Sequence, residues 1–129
     1  MKKGFTFIEL LVSITIILVI STFAVVTYQS ANKKARDNRR LADLEQIRAA
    51  LEMYRSDEDK YPGDVGVLDD DPSPYLNQIP DDPKDGLGYA YKRVTLYTYT
   101  LDCYMEVEGD GSTYGSCGDE TCNYRLENP

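Results

Sequence analysis

The sequence predicts an α+β fold, in which a long N-terminal hydrophobic α-helix packs by its C-terminal half on a small antiparallel sheet of about three strands. Three observations carry that prediction. No Pro or Gly interrupts the chain from Phe5 to Arg55, so nothing local ends a helix there. Leu41, Leu44, Ile47, Leu51 and Tyr54 recur at steps of three and four, the apolar stripe of a helix that docks on something. Beyond a stretch rich in Asp, Pro and Gly, apolar and polar residues alternate in twos, as in a strand with one buried face.

The chain begins with a basic leader, Met1-Lys2-Lys3-Gly4, followed by an apolar run of 24 residues, Phe5 to Tyr28, that a single charge, Glu9, interrupts. As a helix that run measures about 36 Å, enough to cross a bilayer, and a continuous helix to Arg55 would measure about 75 Å. A cleaved secretory signal would have a shorter apolar region and an A-x-A-like site, and no A-x-A occurs between Ser21 and Asn32. An uncleaved single-pass anchor accounts for the length but not for Glu9. An ionised carboxylate in hydrocarbon is costly and is kept where it has a partner or a job.

Past the apolar run, Lys33 with Asp37, Arg39 with Asp43 and Arg48 with Glu52 stand at helical spacing. Each such pair contributes only about 0.2–0.5 kcal/mol, so the apolar stripe and not the pairs ties the helix to a domain. The cluster Lys33, Lys34, Arg36, Arg39 and Arg40 reads either as a solvated face in contact with headgroups or as a surface for acidic residues of neighbouring copies. By the positive-inside rule it outweighs Lys2 and Lys3 and would keep the C-terminal side of the apolar run in the cytoplasm.

Lys60-Tyr61-Pro62-Gly63 ends the helical pattern, because the residue before Pro leaves the helical region and Gly follows. Asp64 to Gly88 reads as a loop with a helical turn around Ser73–Gln78. Tyr97, Tyr99, Leu101, Cys103, Met105 and Val107 then form the apolar face of a strand whose other face runs from Thr98 to Glu108. Tyr89 and Tyr91 mark the strand before it, and Cys122, Tyr124 and Leu126 the strand after it. A sheet of this size needs the helix for stability.

From Ser56 onward 17 acidic residues face 5 basic ones, a balance of −12, whereas the part up to Arg55 has 9 basic and 5 acidic, a balance of +4. An acidic outer half argues against nucleic-acid binding, which needs a basic footprint. The chain has no His, which removes His-based metal sites and His general bases, and it has neither a nucleophile elbow nor a phosphate loop. Nothing in it supports catalysis. Cys103, Cys117 and Cys122 fit one structural disulfide with one Cys left over, and their spacing matches no zinc pattern. Parity favours Cys103 with Cys122, and Cys117 with Cys122 would close a tight loop; both pairings stay open.

Lys-Gly-Phe-Thr-Phe-Ile-Glu-Leu-Leu-Val, from Lys3 to Val12, resembles the class III signal of type IV pilins and type II secretion pseudopilins. The resemblance implies a pilin fold, cleavage by prepilin peptidase between Gly4 and Phe5, N-methylation of Phe5, and Glu9 as the acid at the fifth mature position. Cleavage would create an α-amine, largely cationic at neutral pH, that can neutralise Glu9 of a neighbouring copy and set the register of packed helices. Many type IV pilins have Pro where this chain has Val26. Tyr61-Pro62, Ile79-Pro80-Asp81-Asp82-Pro83 and Gly88-Tyr89-Ala90-Tyr91 resemble the major, G-type pseudopilins.

The implied function is mechanical. The chain would be a single-pass protein of the cytoplasmic membrane with its C-terminal domain outside, then a subunit of a helical homo-oligomeric filament, either a pilus or a pseudopilus. Its partners would be prepilin peptidase, an inner-membrane assembly platform and minor pilins. Residues 1–4 would be leader, 5–29 the membrane and filament-core helix, 30–58 an amphipathic extension, and 59–129 the loop and sheet domain. The competing reading is a tethered monomeric binding or sensor domain.

No cofactor is expected. Major pseudopilins bind calcium near the C-terminus, and Glu108-Gly109-Asp110-Gly111-Ser112 with Asp119-Glu120 offers hard oxygen donors. The pattern matches neither the family loop nor an EF-hand, and a solvated acidic loop is the favoured reading there. The same holds for Asp69-Asp70-Asp71 and for Asp81, Asp82 and Asp85. The eleven Tyr read as core and interface.

Overall fold

A computed structural model of the protein describes residues 4–70, 74–107 and 109–128. The chain divides into two compact units, Met1–Lys33 and Lys34–Pro129. Helix α1 runs from Phe7 to Glu58, 52 residues, as the absence of Pro and Gly predicts. It stops where Asp59 turns into the left-handed region, φ 57°, while the Asp59 N–H donates to the Arg55 carbonyl. Such a left-handed residue just past the last turn satisfies carbonyls that the helix leaves open.

In the second unit the predicted stripe is the core. Leu44, Ile47 and Leu51 are fully buried, with Leu41 and Tyr54 packed at the margin. They meet Tyr61, Leu68, Tyr99, Leu101 and Met105 in one apolar cluster. Asp64 accepts from the Gly66 N–H and so caps a 3₁₀ turn, Val65–Leu68, that delivers Leu68 to this core. The helical turn expected around Ser73–Gln78 is not there: Ser73 lies outside the described residues, and Tyr75–Gln78 bends without helical bonding. Asp64 and its short apolar sequel supply the cap that the later segment lacks.

The sheet has the expected three antiparallel strands in the order β1-β2-β3, namely β1 Ala90–Thr95, β2 Thr98–Cys103 and β3 Tyr124–Glu127. Tyr91 faces Leu101 across β1 and β2, and Cys103 faces Tyr124 across β2 and β3. The middle strand is shorter at its C-terminal end than the alternation from Tyr97 suggests, and Glu108 lies outside the described residues. Met105 is still buried. Its N–H donates to the Asn123 amide oxygen at 2.6 Å, and the Asn123 NH₂ donates to the Met105 carbonyl at 2.9 Å. A side chain thus takes over from the strand ladder, and alternation of apolar residues cannot report that exchange. Tyr97 and Val107, read as part of the buried face, are exposed.

Candidate functional site

In the first unit the helix start is built by Thr6 and Glu9. The Glu9 carboxylate accepts from the Thr6 N–H at 2.9 Å and from the Thr6 hydroxyl at 2.7 Å, while the Glu9 N–H points back to the Thr6 oxygen at 3.3 Å. This is a reciprocal capping box, T-x-x-E ahead of an apolar run. The signal for it is local, Thr6 three residues before Glu9 at the head of the apolar run. The box lies wholly after Gly4, so cleavage at the expected site would leave it intact. Hydroxyls along the run are also satisfied locally: Ser13 donates to the Glu9 carbonyl, Thr22 to that of Leu18 and Thr27 to that of Phe23. A helix whose polar side chains bond to its own backbone suits an apolar surrounding.

By length and composition α1 can cross a membrane, and none of its apolar window is buried among the described residues. Phe5, Ile8, Glu9, Val12 and Ser13 line a shallow groove of about 300 Å³. The expected leader residues Met1, Lys2 and Lys3 lie outside the described residues. Gly4 and Phe5 precede the helix in exposed backbone.

In the second unit the basic cluster is not simply a solvated face. Arg40 is fully buried. Its Nε and Nη2 grip Asp82 at 2.7 and 2.9 Å, and its Nη1 meets Asp37 at 2.7 Å and Glu106 at 3.4 Å. Arg36 holds Glu106 in a fork of 2.6 and 2.8 Å. Asp37, also fully buried, accepts in addition the backbone N–H groups of Glu106 and Val107 at 2.9 and 2.8 Å. Burial alone would lower the Arg40 pKa, but hydrogen bonds and charge from Asp82, then Asp37 and Glu106, hold it above its ordinary value. The fork from Arg36 lowers Glu106 to about 2 against the opposing effect of burial.

This arrangement corrects three expectations. Two members of the basic cluster are consumed by carboxylates of their own chain instead of facing solvent or a neighbour. Asp37 pairs with Arg40 rather than Lys33, and Arg48 reaches Glu45 at 3.5 Å rather than Glu52; only Arg39–Asp43, at 3.8 Å, pairs as expected. Finally, Asp82 is not a solvated loop acid. Residues 37, 40, 44, 47 and 51 continue one stripe at steps of three and four, the signal that would have marked Asp37 and Arg40 as buried.

The disulfide joins Cys117 to Cys122, whose Cα atoms are 5.2 Å apart, and Cys103 is a buried free thiol. The pairing that strand parity favours fails because β3 begins only at Tyr124, which takes the place opposite Cys103. Cys122 stays in the preceding turn, where Cys117 donates its N–H to Glu120 and the bridge from Ser116 to Thr121 brings the two cysteines together. Burial pushes the Cys103 thiol up to about 12, which keeps it protonated and inert. Among the described residues no three of His, Cys, Asp and Glu converge as a metal site would require. Asp71 and Glu108, which belong to two of the acidic stretches, lie outside the described residues. Of the tyrosines, Tyr61 and Tyr99 belong to the core, buried edge to face with ring centres 4.7 Å apart.

Comparison with known proteins bears on both units. The family model described as the prokaryotic N-terminal methylation motif matches residues 1–25. The type II secretion system core protein G of Vibrio cholerae is 26% identical over 128 residues, covering 86% of this chain and 87% of the relative. That of Aeromonas hydrophila is 27% identical, covering 91% of each chain. In motif and in sequence along most of its length, the chain is similar to pseudopilins of the G type. The Pectobacterium carotovorum counterpart is 31% identical over 61 residues, 47% of this chain and 39% of its own length. No solved structure matches significantly. The apolar helix fits membrane anchoring, and the exposed groove at Glu9 lies in the matched motif.

Proposed function

We propose that this chain is a structural subunit of a type II secretion pseudopilus, without enzymatic activity. Prepilin peptidase cuts between Gly4 and Phe5, Phe5 is N-methylated, and the chain leaves the cytoplasmic membrane to join a helical filament. Residues 5–29 form the membrane and filament core, 30–58 the extension and 59–129 the outer domain. The observation that carries this reading is the uncovered apolar helix that begins with Glu9 beside a groove of Phe5, Ile8 and Val12. Alone, such a surface is unstable in water. Packed against copies of itself, it is buried, and the new amine of one Phe5 meets Glu9 of another. Assembly also requires an inner-membrane platform and minor pilins.

Glu9 has two separable roles in this account, a helix cap within its own chain and a charge for its neighbour. Glu9→Gln keeps the cap, since Gln serves in a capping box as Glu does, but removes the charge. We expect Glu9→Gln and Glu9→Ala both to insert in the membrane and both to fail in filament assembly by electron microscopy. Native protein should also show loss of Met1–Gly4 and gain of one methyl group by intact mass. Filaments of normal yield from Glu9→Gln would remove the charge contact, and an intact leader would remove the whole reading.

A further inference from the structure

The segment between β2 and β3 is where the resemblance implies calcium, and its described residues do not fit that ion. Calcium takes six to eight oxygens, several of them carboxylate. Here the Asp110 carboxylate is engaged on both sides, accepting the Ser112 N–H at 2.8 Å and the Tyr114 hydroxyl at 2.6 Å. Glu106 is committed to Arg36 and Arg40, and the Asp119 carboxylate packs against Gly86. These carboxylates point at different partners, and no set of three converges among the described residues.

Other bonds do the work that an ion would do. Asp110 donates its N–H to the Asn123 carbonyl at 2.9 Å, and Tyr114 donates to Cys122 at 2.9 Å, so the two ends of the loop are tied across. The Cys117–Cys122 disulfide closes the tip, and that tip is pinned to the segment before β1 by Gly88 N–H to the Cys117 carbonyl and Asp119 N–H to the Gly86 carbonyl. The Arg125 guanidinium lies over the Tyr114 ring, 4.2 Å from its centre, and covers the loop from the β3 side.

We infer that this chain has replaced a calcium-held loop by a disulfide-held one, so that the stability of its outer domain follows oxidation and not calcium. The inference concerns the folded domain alone, and its test involves no filament, so it stands or falls apart from the assembly reading. The full chain in detergent micelles is melted with tyrosine near-ultraviolet circular dichroism as readout, in excess calcium and in excess EGTA. The same melts are run on the double variant Cys117→Ser, Cys122→Ser. The parent should melt at the same temperature with calcium as with EGTA. The double variant should melt lower by about 8–16 °C, the effect of freeing a loop this short in a domain of this size, or fail to fold. A rise of the parent by about 10 °C on saturation with calcium would overturn the inference. So would a double variant that melts with the parent.

Discussion

Removing Arg40 should cost the outer domain more than removing any other single cation. In Arg40→Ala the carboxylates of Asp37 and Asp82, both essentially sealed from solvent, lose their counter-charge. Asp37 would keep two backbone donors, from Glu106 and Val107, but Asp82 would keep only the Lys84 N–H at 2.8 Å. Breaking one partner out of a buried ion pair costs about 3–5 kcal/mol, because the remaining charge stays buried without compensation. Against a typical total of about 5–15 kcal/mol that is a large share, and in a domain of this size it lowers Tm by at least about 12 °C. The assay is thermal unfolding of the full chain in detergent, with Arg48→Ala as control. Arg48 lies in a half-exposed pair with Glu45, so its loss should cost below about 1 kcal/mol. Combining Arg40→Leu with Asp37→Asn and Asp82→Asn should recover much of the loss, since a neutral cluster leaves no unpaired buried charge. If Arg40→Ala melts within about 4 °C of the parent, equal to roughly 1 kcal/mol, the claim that the cluster holds the domain together is wrong.

Two further outcomes are expected. Glu106, held at about 2 by Arg36 and Arg40, should make stability depend on pH in the acid range. A folded pKa below the unfolded value gives stability that is fully present above about 4.5 and lost as pH falls toward 2, a change of about 3 kcal/mol that a pH series of melts on the parent and on Glu106→Gln would compare. The variant should lack that part of the acid slope. Gly118→Ala should destabilise strongly, because Gly118 sits at φ +88° and an added Cβ would strike the Gly86 carbonyl. A loss of about 2 kcal/mol or more is expected from strain and displaced backbone together, read as a Tm shift.

How far the sequence reaches can be judged from particular residues. The helix, the stripe from Leu41 to Tyr54 and the three strands were legible because each is a local periodicity, repeated enough times to be read without knowing what it faces. The start at Thr6 and Glu9 is equally local. The cluster around Arg40 is not legible as a whole, because two of its three acids, Asp82 and Glu106, come from 42 and 66 positions away. Sequence spacing offered nearer partners, such as Lys33 for Asp37, and proximity along the chain misled. Asn123 gave no signal at all: an amide that replaces a strand ladder looks like any loop amide until Met105 is opposite it.

The sequence alone carries an uninterrupted apolar helix, an N-terminal methylation-type motif with one acid at Glu9, and an acidic α+β domain beyond. These follow from composition and short-range order, which steric and hydrophobic rules translate directly. Tertiary structure alone decided which charges are spent inside the domain and which cysteine stays free. Those outcomes depend on burial. Only when Leu44, Ile47 and Leu51 pack on the sheet are Asp37, Arg40, Asp82 and Glu106 drawn into one dry cluster, where an unpaired charge would be prohibitive and partners from distant segments must meet.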